Sequence, residues 1–206
     1  MRPDAVAGAM FYDDRRMTGV LLFVGIAQFL VFLVVAEAVD YRPPPDTYNV
    51  GTNFISDLGV GTAAPIFNGS IVVLGLFVLV GTYFANRTFH DWFLTIPLLL
   101  AGFGAIGVGV FTENFGAIHP VVSLITFLGT GFSAITAYRI TRPPLSYIGV
   151  LMGVLSLLAL ALFAARVTLG IGVGGMERMI VLPVIAWALA FGGSLMAPVP
   201  AATPAL

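Results

Sequence analysis

Long apolar runs separated by short polar joints dominate this sequence. Six runs are long enough to cross a bilayer, which takes about 20 mostly apolar residues in a helix. Lipid offers the backbone no hydrogen-bond partners, and the runs show no alternation with a period of two, so we expect helices. The sequence therefore predicts an all-α integral membrane bundle, a single domain over residues 1–206 with spans at about 17–39, 67–84, 93–111, 121–138, 147–165 and 179–195.

The composition agrees with membrane burial and excludes several classes of protein. Charged residues make up 9% of the chain and hydrophobic residues 59%, whereas a soluble domain has about 25% charged residues. The net charge is −1 and all nine basic residues are arginine, so no basic surface for nucleic acid is expected. Cysteine is absent, which excludes disulfides, thiolate metal sites and cysteine nucleophiles.

The arginines predict the orientation, because cytoplasmic loops carry the excess of basic residues. With the N-terminus inside, six arginines lie on the cytoplasmic side and three on the other. The six are Arg2, Arg15, Arg16, Arg87, Arg139 and Arg142. We expect a multi-pass protein of the cell membrane with both termini in the cytoplasm. The joints after spans one, three and five would then share the extracytoplasmic face.

The first joint, at about 40–66, is long for a connection between helices and holds the densest cluster of polar residues. Its apolar residues have helical spacing. They are Phe54, Ile55 and Leu58. We expect a short interfacial or re-entrant helix here, capped by Gly59. The alternative is that Ser56 or Asp57 only satisfies backbone groups of a turn.

Side chains able to do chemistry are concentrated in the joints predicted to be extracytoplasmic. The candidate catalytic residues are Ser56, Asp57, Glu113 and His119. The candidate ligand-binding residues are Asn53, Asp57, Asn68, Glu113, His119, Glu177 and Arg178. A carboxylate and an imidazole close together can act as general base and orienting group. The simpler interpretation of His119-Pro120 is the start of the fourth span.

The same groups do not predict a metal or cofactor site. Asp57, Glu113 and His119 would supply three ligands, the number that catalytic zinc takes, but the sequence has no second histidine nearby. The other histidine, His90, falls on the opposite side of the membrane, so the two cannot ligate one haem. We therefore expect neither a metal nor a cofactor.

A charged pair, Glu177-Arg178, comes immediately before the sixth predicted span. An unmatched pair is costly at that depth, which makes it a candidate functional site. The guanidinium of Arg178 suits bidentate capture of a phosphate or carboxylate. The structural alternative is an ion pair between Arg178 and either Asp57 or Glu113.

These residues also carry a resemblance to a known family. The matching features run in order along nearly the whole chain: Asn53-x-Ile55-Ser56-Asp57-Leu58-Gly59, Pro65-x-Phe67-Asn68, Gly109-x-Phe111 with His119, and Glu177-Arg178 followed by Trp187. The chain resembles a family of six-helix prokaryotic membrane proteins, domain of unknown function 998. Its Ile-Ser-Asp-x-Gly core is also similar to the Frag/DRAM-type group, which includes a protein of GPI-anchor lipid remodelling. That similarity implies lipid-related work at the extracytoplasmic leaflet by analogy.

Three functions are compatible with these residues. The first is a site for the head group of a membrane lipid, with Arg178 on a phosphate. The second is an interfacial hydrolase that uses Ser56 or an activated water, with His119 as base and Asp57 or Glu113 as orienting residue. The third is a non-enzymatic role, as an accessory subunit of a membrane complex or as a transporter. The expected partners are membrane lipid and, for the third function, another membrane protein.

Overall fold

The computed structural model describes residues 13–42 and 47–198, so Arg2 and most of the C-terminal tail lie outside the described residues. The long helices are α1 (Asp14–Val39), α2 (Ala64–Phe89), α3 (Trp92–Val110), α4 (Ile118–Thr136), α5 (Leu145–Ala164) and α6 (Gly172–Met196). All six are long and apolar enough to cross a membrane. The prediction of an all-helical membrane bundle with six spans is confirmed.

The helices form a closed ring in chain order. Each packs against its neighbours in the chain, α6 packs against α1, and α4 also contacts α6. Phe29, Phe67 and Phe191 are buried on the inside, whereas Val31 and Phe103 are among many large apolar side chains exposed on the outside. An apolar exterior of this kind suits a lipid solvent. The inside of the ring is where the cavities described below are found.

The up-and-down order of the spans gives the bundle two ends. The joints α1–α2, α3–α4 and α5–α6 lie at one end, which we call the Asp57 end. The joints α2–α3 and α4–α5 lie at the other, the His90 end. There Asp91 caps α3 by accepting the Phe93 N–H at 2.9 Å, and it also accepts from Arg139 Nε at 2.7 Å. The charges of the His90 end thus serve to fix helix ends.

Each helix begins before its predicted span, and two of them, α2 and α6, extend furthest beyond it. Asn86 and Arg87 were expected in a joint, but they lie in the last turn of α2. A cation is favoured there by the helix dipole, and Arg87 also pairs with Asp14 at 2.9 Å. At the other end of the chain, α6 begins at Gly172, well before the predicted start at 179. Consequently Glu177 belongs to the helix and does not precede it.

Glycine explains the early start of α6. The Gly174 N–H donates to the Gly51 carbonyl at 3.0 Å, so the first joint supplies an acceptor for the first turn of the helix. A Cβ atom on Gly174 would lie 2.1 Å from the Asn53 carbonyl oxygen and 2.6 Å from that of Val50. Only glycine permits such an approach. The glycine run predicted as a loop is therefore the docking point of the first joint on α6.

The short helix predicted in the first joint is a single 3-10 turn, Ser56–Gly59. Leu58 is fully buried, as expected for the apolar face, but Ser56 is buried too. Gly59 does not cap the turn, because the C-cap residue is Val60 with φ −123°. Gly59 instead lies against Asn68, whose Oδ1 would be 2.7 Å from a Cβ atom at that position.

Candidate functional site

A cavity of about 320 Å³ lies at the Asp57 end, against the 3-10 turn of the first joint. We call it the end cavity. Its wall consists of Phe54, Ser56, Glu113, Gly116, His119, Pro120, Ser123, Phe127, Phe163 and Glu177. The first and third joints and helices α4, α5 and α6 all contribute. Four predicted site residues therefore meet at one cavity although they are far apart in the sequence.

Ser56 and Glu113 join the first and third joints. The Ser56 hydroxyl donates to Glu113 Oε1 at 2.6 Å, a short bond typical of a charge-assisted contact. Glu113 begins a second short 3-10 turn, Glu113–Phe115. Burial raises the pKa of Glu113; the Ser56 hydroxyl opposes this shift, and the neighbouring Asp57 carboxylate adds to it. Glu113 is therefore a stronger proton acceptor than an exposed glutamate.

His119 lies buried in the first turn of α4, as predicted for the start of that span. Its Nδ1 is 2.7 Å from the Phe111 carbonyl oxygen at the end of α3. A carbonyl can only accept, so Nδ1 carries the proton and Nε2 holds the lone pair. Ser123, one turn further along α4, donates to Nε2 at a long 3.4 Å. The ring is thus oriented with Nδ1 on the Phe111 carbonyl and Nε2 next to Ser123.

Glu177 is buried in the second turn of α6. Its Oε2 accepts a short hydrogen bond from the Ile55 N–H, directly before the 3-10 turn of the first joint. An ionisable side chain within a membrane span is expensive and points to function or to a specific partner. Glu177 has one such partner in the Ile55 backbone and also faces the end cavity.

Asp57 and Asn53 support the turn and do not line the cavity. Asp57 Oδ2 accepts from Asn53 Nδ2 at 2.9 Å and from the Phe54 N–H at 3.0 Å. The Asp57 carbonyl accepts from Arg42 Nη2 at 2.9 Å. These are the contacts of the alternative in which Asp57 satisfies backbone groups of the turn. They hold Phe54 and Ser56 against the cavity.

Arg178 is engaged with the first joint rather than with the end cavity. Its Nη2 donates to Glu37 Oε1 at 2.5 Å and to the Tyr48 hydroxyl at 2.6 Å. Its Nη1 donates to the carbonyl oxygens of Val50, Asn53 and Gly174, at 2.9, 3.1 and 3.0 Å. The partner of Arg178 is therefore Glu37, and the ion pair predicted with Asp57 or Glu113 is wrong. Glu37 reaches it from the last turn of α1, a contact that spacing along the sequence does not predict.

Tyr48 completes the Arg178 contacts. Its hydroxyl accepts from Arg178 and donates to the Phe54 carbonyl at 3.2 Å. Burial raises the pKa of Tyr48 to about 12, even though the adjacent guanidinium acts in the opposite direction. Tyr48 therefore keeps its proton at neutral pH and links Arg178 to the residue that forms one wall of the cavity.

A protein-family model described as "Protein of unknown function (DUF998)" matches residues 23–194. The chain belongs to this family. The matched region runs from α1 to the end of α6, so the DUF998 family match includes every residue of the end cavity. No curated protein and no solved structure matches the chain. The similarity to the Frag/DRAM-type group stays a prediction.

Asn68, part of the DUF998 motif noted in the sequence, supports the first joint. Its Nδ2 donates to the Gly59 carbonyl at 2.9 Å. Its Oδ1 is buried and accepts no hydrogen bond from the residues that the structure describes. Asn68 thus ties α2 to the 3-10 turn, and it lies outside the end cavity.

The sequence pattern did not predict the aromatic wall of the cavity in this DUF998 protein. The missed residues are Phe54, Phe127 and Phe163, together with Ser123. Ser123 and Phe127 follow His119 at intervals of four on α4, so they share its helix face. That periodicity could have found them. Phe163, at the end of α5, had no such signal.

Across residues 13–42 and 47–198, no three His, Cys, Asp or Glu side chains lie close enough to hold a metal ion. Glu113 and His119 line the same cavity, but Asp57 is occupied by Asn53 and the Phe54 N–H. The chemistry at hand is therefore that of hydroxyl, carboxylate and imidazole groups in a partly apolar cavity.

Proposed function

We propose that the end cavity binds the head group of a membrane amphiphile, and that this head group is an amine. The balance of donors and acceptors in the wall carries the proposal. The Ser56 proton is used by Glu113 and the Ser123 proton by His119. What remains for a ligand is a set of acceptors, namely the carboxylate oxygens of Glu113 and Glu177. A ligand that supplies protons and positive charge complements such a wall.

Glu177 shows the need for a donor most clearly. Its Oε2 accepts the Ile55 N–H, whereas Oε1 has no donor among the described residues. A buried carboxylate with unused acceptor capacity is unfavourable unless a partner compensates it. An ammonium group would supply that partner, and the faces of Phe127 and Phe163 suit a cation or its alkyl substituents.

The proposed charge of the head group is opposite to that of a phosphate. Arg178 was the residue expected to hold a phosphate, and its described contacts are all with Glu37, Tyr48 and backbone carbonyls. Phosphate would instead face the carboxylates of Glu113 and Glu177. Those carboxylates disfavour an anionic head group.

We also propose that the Asp57 end lies on the extracytoplasmic side of the cell membrane, with both termini in the cytoplasm. Arginines are more numerous at the His90 end, where Arg15, Arg16, Arg87, Arg139 and Arg142 lie. At the Asp57 end, Arg42 and Arg178 are in ion pairs with Asp40 and Glu37. The positive-inside rule therefore supports this orientation. The head group would come from the outer leaflet.

The test compares dodecylamine with dodecyl phosphate, which share a chain and differ in head-group charge. At about 100 times its Kd, dodecylamine should raise the Tm of the detergent-solubilised protein by about 5–10 °C. Dodecyl phosphate should not. Glu113→Gln and Glu177→Gln should lose most of the shift, whereas Arg142→Gln, in a separate cavity at the His90 end, should keep it. Equal shifts with both amphiphiles, or no shift with either, would overturn the proposal.

A second candidate function rests on the 2.6 Å hydrogen bond from Ser56 to Glu113. A hydroxyl next to a carboxylate of raised pKa is a nucleophile beside a base, as in an interfacial hydrolase. Labelling with a fluorophosphonate that carries an alkyl chain distinguishes the two functions. Modification of wild type but not of Ser56→Ala would favour hydrolysis. Absence of labelling, together with amine binding, would favour the binding function.

A further inference from the structure

Two smaller cavities continue from the end cavity into the ring. One, of about 90 Å³, shares Ser56, Ser123, Phe127 and Glu177 with the end cavity. The next, of about 80 Å³, shares further wall residues with that one, among them Ala105 on α3. We call these two the deep cavities. Because successive cavities share wall residues, the three form one series along the inside of the ring.

Apart from Ser56 and Glu177, which the first deep cavity shares with the end cavity, the deep cavities are apolar in effect, although hydroxyls line them. Thr126 donates to the Val122 carbonyl at 2.8 Å, Thr130 to that of Thr126 at 3.0 Å, and Ser133 to that of Gly129 at 2.7 Å. These protons are used within α4 itself. Each cavity exceeds the roughly 10–15 Å³ that one water needs, but a cavity without polar partners stays dry and takes an apolar ligand. Hydrocarbon is the occupant that fits.

The length of the series corresponds to one leaflet. Along α6, the rise from Glu177 at the end cavity to Trp187 at the deepest cavity is about 15 Å. Along α4, the rise from Ser123 to Ser133 is also about 15 Å. The hydrocarbon core of a bilayer is about 30 Å thick, so this is the depth that one lipid chain occupies.

Two stacked aromatic rings lie at the deep end of the series. Trp187 and Phe191 are both buried, and their rings stack with centroids 5.2 Å apart. Both line the deepest cavity. A chain that enters from the end cavity therefore meets a wall of fixed depth, which sets a limit on its length.

We infer that the deep cavities hold one alkyl chain of the amphiphile whose head group occupies the end cavity. This inference rests on the proposed function and adds the class of ligand: an amine with an alkyl chain inserted into the ring and limited in length by Trp187 and Phe191. The protein would thereby select its ligand at both ends, by head-group charge at Glu177 and by chain length at the stacked rings.

The test is a series of alkylamines from octylamine to hexadecylamine, with the apparent Kd taken from thermal-shift titrations. Ala105→Leu adds volume where the two deep cavities meet, and Thr130→Leu does so from the neighbouring helix α4. Both variants should raise the apparent Kd of the long-chain amines at least tenfold and leave the apparent Kd of octylamine within twofold of wild type. Each amine partitions into detergent to the same extent with variant and wild type. The ratio of their apparent Kd values at one chain length is therefore independent of that partition.

The matched control is Leu100→Phe, which adds volume on the exposed side of α3, where Leu100 is 45% exposed. It should leave the chain-length profile unchanged. If Ala105→Leu and Thr130→Leu also leave the profile unchanged while Glu177→Gln still abolishes amine binding, the inference is wrong and the head-group site stands. If wild type binds no amine of any length, the proposed function itself fails. A filling variant that does not fold is replaced by the other, since they fill the cavities from different helices.

Discussion

Replacing Arg178 by alanine should destabilise the fold rather than abolish a ligand contact. Arg178 reaches across from α6 to Glu37 at the end of α1 and to Tyr48 and two carbonyls of the first joint. These contacts join three parts of the chain that are distant in sequence. Removal of the guanidinium leaves the carboxylate of Glu37 and the carbonyls without their donor.

The size of the effect follows from burial. The side chain of Arg178 is 14% exposed and that of Glu37 is 23% exposed. Removal of one partner of a buried ion pair costs about 3–5 kcal/mol, and the partial exposure favours the lower part of that range. A loss of about 3–4 kcal/mol lowers Tm by about 6–16 °C in a chain of this size. Glu37→Gln keeps an acceptor for Arg178, so we expect a smaller loss of about 1–2 kcal/mol.

Thermal unfolding of the purified protein in mild detergent measures both losses. The double variant should lose about 0.5–3 kcal/mol less than the sum of the single variants, because the two residues interact directly. Arg166→Ala is the control, since Arg166 is an exposed arginine in the α5–α6 joint. If the Tm of Arg178→Ala lies within 2 °C of that of Arg166→Ala, a difference of about 1 kcal/mol or less, the structural role of Arg178 is refuted. A simultaneous change in the bound lipid would then restore the phosphate role to Arg178.

Three further predictions concern other parts of the molecule. Gly174→Ala should destabilise by about 1–3 kcal/mol through overpacking, whereas Gly193→Ala on the same helix, with open space around it, should be neutral or stabilising in the same unfolding assay. Because burial raises the pKa of Glu113, wild type should lose stability relative to Glu113→Gln as pH rises above the ordinary glutamate pKa of about 4; a constant difference in Tm would contradict this. In intact cells, an impermeant maleimide should label Arg166→Cys but not Arg142→Cys, and the reverse pattern would invert the orientation.

The fold was predictable because one physical constraint dominates it. Spans must satisfy their backbone internally, so six apolar runs become six helices. The boundaries that were wrong are those that depend on tertiary contacts. Gly174 is compatible with a loop on local grounds. It is helical because the first joint docks on it and the Gly51 carbonyl accepts its N–H. Similarly, α2 continues past Arg87, whose charge pairs with Asp14 on α1.

The members of the candidate site were partly predictable, and their roles were not. The alternating direction of the spans brings Ser56, Glu113, His119 and Glu177 to one end, and the structure places all four at one cavity. Sequence alone could not show which charges pair, because pairing depends on side-chain reach across helices. The ion pair of Arg178 with Glu37 is the clearest example.

Two adjacent pairs in the sequence share a common division of roles. In Ser56-Asp57 the first residue lines the end cavity, and the second holds the backbone of the turn through the Phe54 N–H. In Glu177-Arg178 the first again lines the cavity, and the second holds the first joint.

Successive residues of an α-helix point about 100° apart, so the neighbour of a cavity residue on α6 faces a different part of the protein. The charges of these joints thus belong to two systems: a scaffold of Asp57 and Arg178 that fixes the first joint, and an acceptor wall of Glu113 and Glu177 that the scaffold keeps in place. When a ligand binds the acceptor wall, the resulting change in Tm should therefore depend on the scaffold only indirectly, through the position of Ser56 and Phe54.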